Sequence, residues 1–179
     1  MFRLVRWGAA VLLALAVGSL PAQAEYPDVV LRSTAGERVM LSRFRGKPVI
    51  AFYEDRASTT LNEPVKKTLF ERGKARGLLS VAHVVAVANI REWNLTPARQ
   101  IAIAFIRRAE QEAGVPIYLD VDGTLSRPPL DLPATSSTVL VLDAEGRKAF
   151  ERTGRLSDAD TQHLLSTVER LTDTAPTPP

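Results

Sequence analysis

The run from Gly46 to Leu61 constrains this chain most, because a short apolar segment is followed at once by a polar cluster. Val49 to Tyr53 combines β-branched and aromatic residues without polar alternation, which predicts a strand buried on both faces. The polar residues that follow include Ser58 and Thr59, residue types that cap helices, and are expected to open one. A buried strand that leads into a helix predicts an α/β fold.

The rest of the chain alternates predicted strands and helices. In chain order these are a hairpin of Val29–Ser33 and Arg38–Leu41, a helix from Leu61 to near Gly77, a strand from Val81 to Val87, a helix from Thr96 to Gly114, a strand from Val115 to Leu119, a hairpin of Thr138–Leu142 and Arg147–Arg152, and a helix from Ser157 to about Leu171. Thr96 is expected to cap its helix with Pro97 at the first position. The interior of that helix, Ile101 to Ile106, is apolar on most sides and is expected to be largely covered.

The N-terminus has the three parts of a signal peptide. Arg3 and Arg6 precede an apolar region from Trp7 to Leu20, and Ala22-Gln23-Ala24 fits a cleavage site. We therefore expect residues 1–24 to be a signal peptide cleaved after Ala24, with export to the periplasm or beyond. Residues 25–171 would form one domain, and residues 172–179 a disordered tail.

Composition narrows the function. The chain has no cysteine, which excludes a lipid anchor on that residue and any disulfide. Without Arg3 and Arg6, 21 basic residues face 20 acidic ones, so the chain lacks the excess of positive charge that nucleic-acid binding favours. No cofactor is predicted.

The order of a leading hairpin, Gly46-Lys47-Pro48, a buried strand, a polar loop and a helix resembles the start of thioredoxin-like domains. The resemblance covers nearly the whole predicted domain and implies a central mixed sheet flanked by helices, with an N-terminal hairpin. Aligned on Gly46-Lys47-Pro48, the two cysteine positions of that family fall on Ser58 and Leu61, and the peroxidatic position of peroxiredoxins also falls on Leu61. A serine hydroxyl forms no disulfide, so the resemblance implies the fold without disulfide oxidoreductase or peroxidase chemistry.

A second family position supports the same conclusion. Thioredoxin-like domains carry a cis-proline just before the strand that corresponds to Thr138–Leu142, and here Ser137 occupies it, so a trans peptide bond is expected. The run from Ser136 to Asp143, with Asp120 ending the preceding strand, resembles the cysteine-less YtfJ-type periplasmic branch.

In the thioredoxin-like superfamily, the surface around the cysteine loop holds an extended peptide. We therefore predict that this protein binds a peptide or a protein partner of the periplasm on the corresponding surface, called here the loop face. It comprises Arg56, Ser58, Thr59, Thr60, Leu61, Trp93, Ser136 and Ser137. Two of its features have a second interpretation: Ser58 to Thr60 could simply cap a helix, and Trp93 could cover the core.

Two alternatives use other residues. Asp120-Val121-Asp122-Gly123-Thr124 resembles the first motif of haloacid-dehalogenase-type phosphatases, which would make the protein a metal-dependent phosphohydrolase at Asp120 and Asp122. The Asp-Gly pair is equally typical of a turn after a strand. The proline-rich segment from Leu125 to Pro133 could instead cover a bound small molecule. His83 and His163 are interpreted as a packed residue and a helix-surface residue, since no set of metal ligands accompanies them.

Overall fold

The computed structural model describes residues 26–93 and 95–173. The predicted signal peptide and the last residues of the predicted tail lie outside them. Strand β3 (Val49–Glu54) is buried at all six positions. This confirms the prediction for the apolar run from Val49 to Tyr53, and the strand extends one residue further, to the charged Glu54. It pairs in parallel with β4 (His83–Asn89) and antiparallel with β6 (Thr138–Leu142). These contacts on both edges satisfy the backbone of β3 inside the sheet.

The sheet has seven strands in the order β2-β1-β5-β4-β3-β6-β7. The other four are β1 (Val30–Arg32), β2 (Arg38–Met40), β5 (Ile117–Asp120) and β7 (Lys148–Thr153). Both predicted hairpins, β1–β2 and β6–β7, are present and antiparallel. Because β3, β4 and β5 are parallel, their carboxyl ends meet at one edge, where Glu54, Asn89 and Asp120 are the last strand residues. This is the edge at which α/β proteins bind ligands.

The helices are α1 (Glu63–Ala75), a short α2 (Leu78–Val81), α3 (Ala98–Ala113) and α4 (Asp158–Asp173), besides a 3-10 helix at Leu41–Phe44. Ser157 caps α4 as predicted: Ser157 Oγ accepts from the Asp160 N–H, and Asp160 Oδ2 accepts from the Ser157 N–H. Helix α4 continues two residues past the predicted end at Leu171. None of the helices in the described ranges is long and apolar enough to cross a membrane.

Three predicted boundaries are wrong. Helix α1 begins at Glu63 after a series of turns, so Ser58 and Thr59 do not cap it. Strand β4 begins two residues late because the preceding residues form α2. Pro97, joined to Thr96 by a cis peptide bond, occupies the N-cap position of α3, and Thr96 does not cap it. The other end of α3 is as predicted, since Gly114 is left-handed with φ 64°.

The two faces of the sheet are covered differently. On one face, α1, α2 and α4 bring Val65, Leu69, Leu164 and Val168 onto β3, β6 and β7. The other face is covered largely by irregular chain, because the proline-rich segment inserts Leu125, Leu130 and Leu132 into the core together with the N-terminal hairpin. These leucines fill the space beneath the segment, and nothing in this packing supports a ligand there.

The expectation that α3 is largely covered is wrong. Ala102 is its only buried residue, whereas Ile101 is 53% and Phe105 70% exposed. The helix is held at the side of the sheet by polar contacts to the β1–β2 turn, where Arg107 donates to the Thr34 carbonyl oxygen at 2.6 Å and Thr34 Oγ1 donates to Glu110 at 2.5 Å. Fastened there, α3 leaves much of its apolar surface exposed to solvent.

Candidate functional site

The loop after β3 is folded by Asp55 and Ser58. Asp55 Oδ1 accepts from the Ser58 N–H at 2.9 Å and from Ser58 Oγ at 2.6 Å, and the Asp55 N–H donates back to Ser58 Oγ at 3.2 Å. Ser58 is buried, whereas Arg56, Thr59 and Thr60 are exposed and Leu61 is half-buried. Ser58 therefore shapes the loop from inside, while its neighbours present the surface.

Asn62 fastens the far end of this loop. This residue is only 1% exposed, and its Nδ2 donates to Ser137 Oγ at 2.9 Å and to the Gly154 carbonyl oxygen at 2.8 Å. Its Oδ1 accepts from the Leu156 N–H at 2.9 Å. One side chain thus joins the start of α1, the residue before β6 and the chain between β7 and α4.

The network continues from Ser137 to the ion pair between the buried Glu54 and the half-buried Lys66. Ser137 Oγ donates to Glu54 Oε1 at 2.9 Å, and Glu54 Oε2 accepts from Lys66 Nζ at 2.8 Å. Lys66 also donates to the Thr59 carbonyl oxygen at 2.8 Å. Burial raises the pKa of Glu54 above its ordinary value, although the hydrogen bond and charge of Lys66 oppose the shift. Ser137, at the family's cis-proline position, is fully buried and therefore acts here as an interior hydrogen-bonding residue.

Arg56 and Trp93 both line a cleft of about 520 Å³ at the carboxyl edge of the sheet. The Arg56 guanidinium lies 5.4 Å from the centre of the Trp93 ring, within cation–π range. Asp55, Asn89 and Ala134 line the same cleft. Trp93 is half-buried, so it both borders the domain interior and presents one side to the cleft.

The lining of the cleft is completed by Ala57, Glu92, Leu95 and Ala98. Asn89 Nδ2 donates to the Ala134 carbonyl oxygen at 2.8 Å, which attaches the segment before β6 to the end of β4. In that segment Thr135 is exposed and Ser136 is half-buried. Within the described ranges, the main chains of these two residues make no hydrogen bond to other main-chain atoms.

The structure places the predicted residues in different settings. Arg56 and Trp93 line the cleft. Ser58 and Ser137 are buried beneath the surface. Thr59 lines a different groove, between α1 and α3. The remaining predicted residues line neither of these two surfaces and are Thr60, Leu61 and Ser136.

Asp120 stabilises the turn that follows β5 by accepting hydrogen bonds from it. The residue is 1% exposed, its Oδ1 accepts from the Thr124 N–H at 2.8 Å, and its Oδ2 accepts from the Leu125 N–H and from Tyr53 Oη, both at 3.1 Å. Asp122 is exposed on the same turn. The motif is explained by turn formation, and nothing in its geometry supports a phosphohydrolase.

The two histidines lie apart, and each packs against a phenylalanine. His83 is 5.1 Å from the ring of Phe44, and burial together with the charges of Lys47 and Arg43 lowers its pKa. His163 is exposed on α4, with its ring edge-on to Phe150 at 5.4 Å. Residues 26–93 and 95–173 contain no cluster of three or more metal-ligating side chains.

Sequence reasoning missed Glu54, Asn62 and Lys66, which form the interior of this site. Glu54 carried a usable signal, because a charged residue ending a buried apolar run needs a partner. Its partners, Lys66 and Ser137, are 12 and 83 residues away, and nothing in their spacing identifies them.

A scan against protein-family models and a search of curated proteins both find no match. Solved structures do match. A DsbF homologue from Corynebacterium diphtheriae superposes with a TM-score of 0.60 at 17% identity, over 84% of this chain and 88% of that one. DsbF of MTB gives 0.57 at 16%, over 86% of this chain and 100% of that one. The pneumococcal exposed lipoprotein thioredoxin Etrx1 of Streptococcus pneumoniae gives 0.54 at 16%, over 81% and 100%.

At these identities the similarity establishes the fold alone. The chain has the thioredoxin-like fold, as its sequence pattern implied, and it has no cysteine with which to carry out dithiol chemistry. At the carboxyl edge of the sheet, this chain has a cleft beside the loop that follows β3, and hydrogen bonds hold that loop in place.

Proposed function

We propose that this protein is exported and binds an extended peptide segment of a partner protein in the cleft lined by Arg56 and Trp93. The observation that carries the proposal is the stack of the exposed Arg56 on the half-buried Trp93 at the cleft wall. Arginine and tryptophan are the residue types that dominate recognition surfaces, since they combine a large contact area with directed hydrogen bonding.

The available main-chain groups of Thr135 and Ser136 suit the same ligand. An extended peptide can pair its backbone with this segment while a side chain enters the cleft, as in strand addition to a sheet edge. An acidic side chain would meet the Arg56 guanidinium, which has no carboxylate partner within the described ranges. The YtfJ-type resemblance and the predicted signal peptide support a periplasmic partner.

The fluorescence of Trp93 can be used to test this proposal. Trp93 is the only tryptophan after residue 24, so the fluorescence of the chain from residue 25 onward reports directly on the cleft. We would titrate this protein with pools of unstructured decapeptides and follow the emission of Trp93. At least one pool should shift the emission, and Arg56→Ala should weaken that peptide about tenfold.

Arg155→Ala is the matched control, because Arg155 is exposed and does not line the cleft. It should leave the affinity unchanged. Emission that no pool alters, or an affinity equal in the Arg56→Ala and wild-type proteins, would disprove peptide binding at this cleft.

A further inference from the structure

A second surface lies between α1 and α3. It is a groove of about 660 Å³, called here the α1–α3 groove, whose floor is the face of β4 formed by Val84, Ala86 and Ala88. The α3 wall is apolar and consists of Ile106, Ala109 and Ala113. The α1 wall combines the apolar Leu69 and Phe70 with the charged Glu63, Lys66 and Lys67, and Lys66 forms ion pairs with Glu63 and with Glu54. An inner strand of a sheet is normally covered on both faces, yet these positions of β4 are only half-buried.

Helices α1 and α3 carry most of the exposed large apolar side chains of the described residues. There are five such side chains, and three of them lie on these helices: Phe70, which lines the groove, Ile101 and Phe105. Phe105 precedes Ala109 by four residues and follows Ile101 by four, so these three form a stripe along the outer edge of the α3 wall. The groove and the stripe adjoin at Ala109, which belongs to both.

The two helices also concentrate positive charge. Helices α1 and α3 together contain seven lysine and arginine residues and four glutamates, a net charge of +3, whereas the other described residues carry 14 basic and 15 acidic side chains. On α1, Lys67, Phe70 and Lys74 recur at i, i+3 and i+7, which brings two exposed cations to the side of Phe70. Lys67 is 3.9 Å from Glu71, and Lys74 has no ion pair among the described residues.

We propose that the α1–α3 groove binds an amphipathic helix of a partner protein, with acidic residues flanking the apolar face of that helix. A groove with apolar side chains on both walls takes such a face at its i, i+3, i+4 and i+7 positions. The acidic flanks would meet Lys67 and Lys74. A second copy of this chain is a poorer match, because the exposed Lys67 and Lys74 of one copy would meet the cations of the other, and α1 and α3 together carry a net charge of +3 in each copy. This site is separate from the Arg56–Trp93 cleft, and either proposal can fail without the other.

The test uses three synthetic peptides and the protein from residue 25 onward. The first peptide is a helix of about four turns with leucines at i, i+3, i+4 and i+7 and glutamates on the flanks. The second replaces the glutamates by lysines, and the third scrambles the first. Fluorescence anisotropy of labelled peptide should give an affinity for the acidic helix about tenfold or more above that for the other two.

Variants then locate the binding site. Ala109→Trp fills the groove from an exposed helix position and should abolish binding, whereas Phe105→Ser should weaken it and Phe105→Leu should preserve it. The double change Lys67→Glu with Lys74→Glu should reverse the preference, so that the lysine-flanked helix binds better. The control pair Arg38→Glu with Arg155→Glu, exposed and not lining the groove, should leave the preference as it is. Circular dichroism of each variant checks that it is folded.

Several results would overturn the proposal. Equal affinity for the acidic and lysine-flanked helices, or binding that persists in folded Ala109→Trp, removes it. So does the absence of binding by the acidic helix. Laurate is the probe for a small amphiphile. If laurate binds saturably, if Ala109→Trp abolishes this binding, and if the acidic helix does not displace laurate, the groove is assigned to a small amphiphile. Dimerisation in sedimentation that Phe105→Ser abolishes would assign it to a second copy of the chain.

Discussion

Two buried carboxylates end the parallel strands β5 and β3, which lie on either side of β4 in the sheet, and they are stabilised in opposite ways. Asp120, at the end of β5, is bound by the turn directly after it, through the N–H groups of Thr124 and Leu125. Glu54, at the end of β3, is bound by Lys66 and Ser137 from distant parts of the chain. The conspicuous sequence motif therefore marks the locally satisfied carboxylate, while the less conspicuous residue organises the candidate site. A carboxylate whose hydrogen-bond partners lie within a few residues can be recognised from the sequence, whereas one whose partners lie far along the chain cannot.

The largest effect is expected at the locally bound carboxylate. Asp120→Ala should lower the free energy of unfolding by about 3 kcal/mol, because two backbone N–H groups and Tyr53 Oη lose their acceptor in the interior. Urea denaturation followed by circular dichroism measures the change. The control Asp122→Ala removes an exposed side chain of the same motif and should change stability little. Similar losses for both variants would contradict a structural role confined to Asp120.

On the Glu54 side, Asn62→Ala should lower the free energy of unfolding by about 2 kcal/mol, since the buried Leu156 N–H and the Gly154 carbonyl oxygen lose a partner. Thermal and urea unfolding give the value. Thr60→Ala, two residues earlier and exposed, is the control. A loss confined to a few tenths of a kcal/mol would mean that the distant contacts contribute less than their burial implies.

Ser137→Ala should have a smaller effect, about 1 kcal/mol, because Asn62 keeps the Gly154 carbonyl oxygen and Glu54 keeps Lys66. The same change should raise the pKa of Glu54 further, as it removes a hydrogen bond that lowers it. Ser136→Ala, at the half-buried neighbour, should alter neither stability nor the pKa. The pKa of Glu54 is measured from its carboxyl chemical shift in a pH titration. If that pKa is the same in Ser137→Ala as in the wild type, Ser137 does not belong to the network.

The smallest expected effect is a pH dependence with a defined sign. Burial raises the pKa of Glu54, so in the range between the ordinary glutamate pKa and this raised value the folded state binds more protons than the unfolded state. The Glu54 contribution to stability is therefore complete at low pH and is lost as the pH rises through the folded-state pKa.

The difference in unfolding free energy between wild type and Glu54→Gln, measured at several pH values, isolates that contribution. Asp143→Asn should give the opposite trend. Burial opposes ionisation of Asp143, but hydrogen bonds from Arg147 outweigh it and lower the pKa of Asp143, so its contribution is lost as the pH falls. A flat difference for Glu54→Gln would show that Lys66 neutralises the effect of burial.

Local patterns predicted much of this fold. The apolar run gave β3, the Asp-Gly and Glu-Gly turns gave the strand ends, and Ser157 gave the start of α4, because each signal acts within a few residues. The exposed apolar face of α3 was not predicted. An apolar helix surface indicates that the surface is buried, but it does not indicate whether the same chain or another molecule buries it. The loop was misassigned because Ser58 bonds to Asp55, an alternative to capping that serine permits equally.

Anchoring of the loop at both ends has a consequence for the energetics of any encounter. Ser58 bonds its beginning to Asp55, and Asn62 bonds its end to two other segments, the residue before β6 and the chain between β7 and α4. A loop already ordered before contact surrenders little conformational freedom on binding, so more of each contact's free energy would appear as affinity. Association would then be governed by diffusion and orientation, without a slow ordering step, and the lifetime of a complex by the contacts themselves.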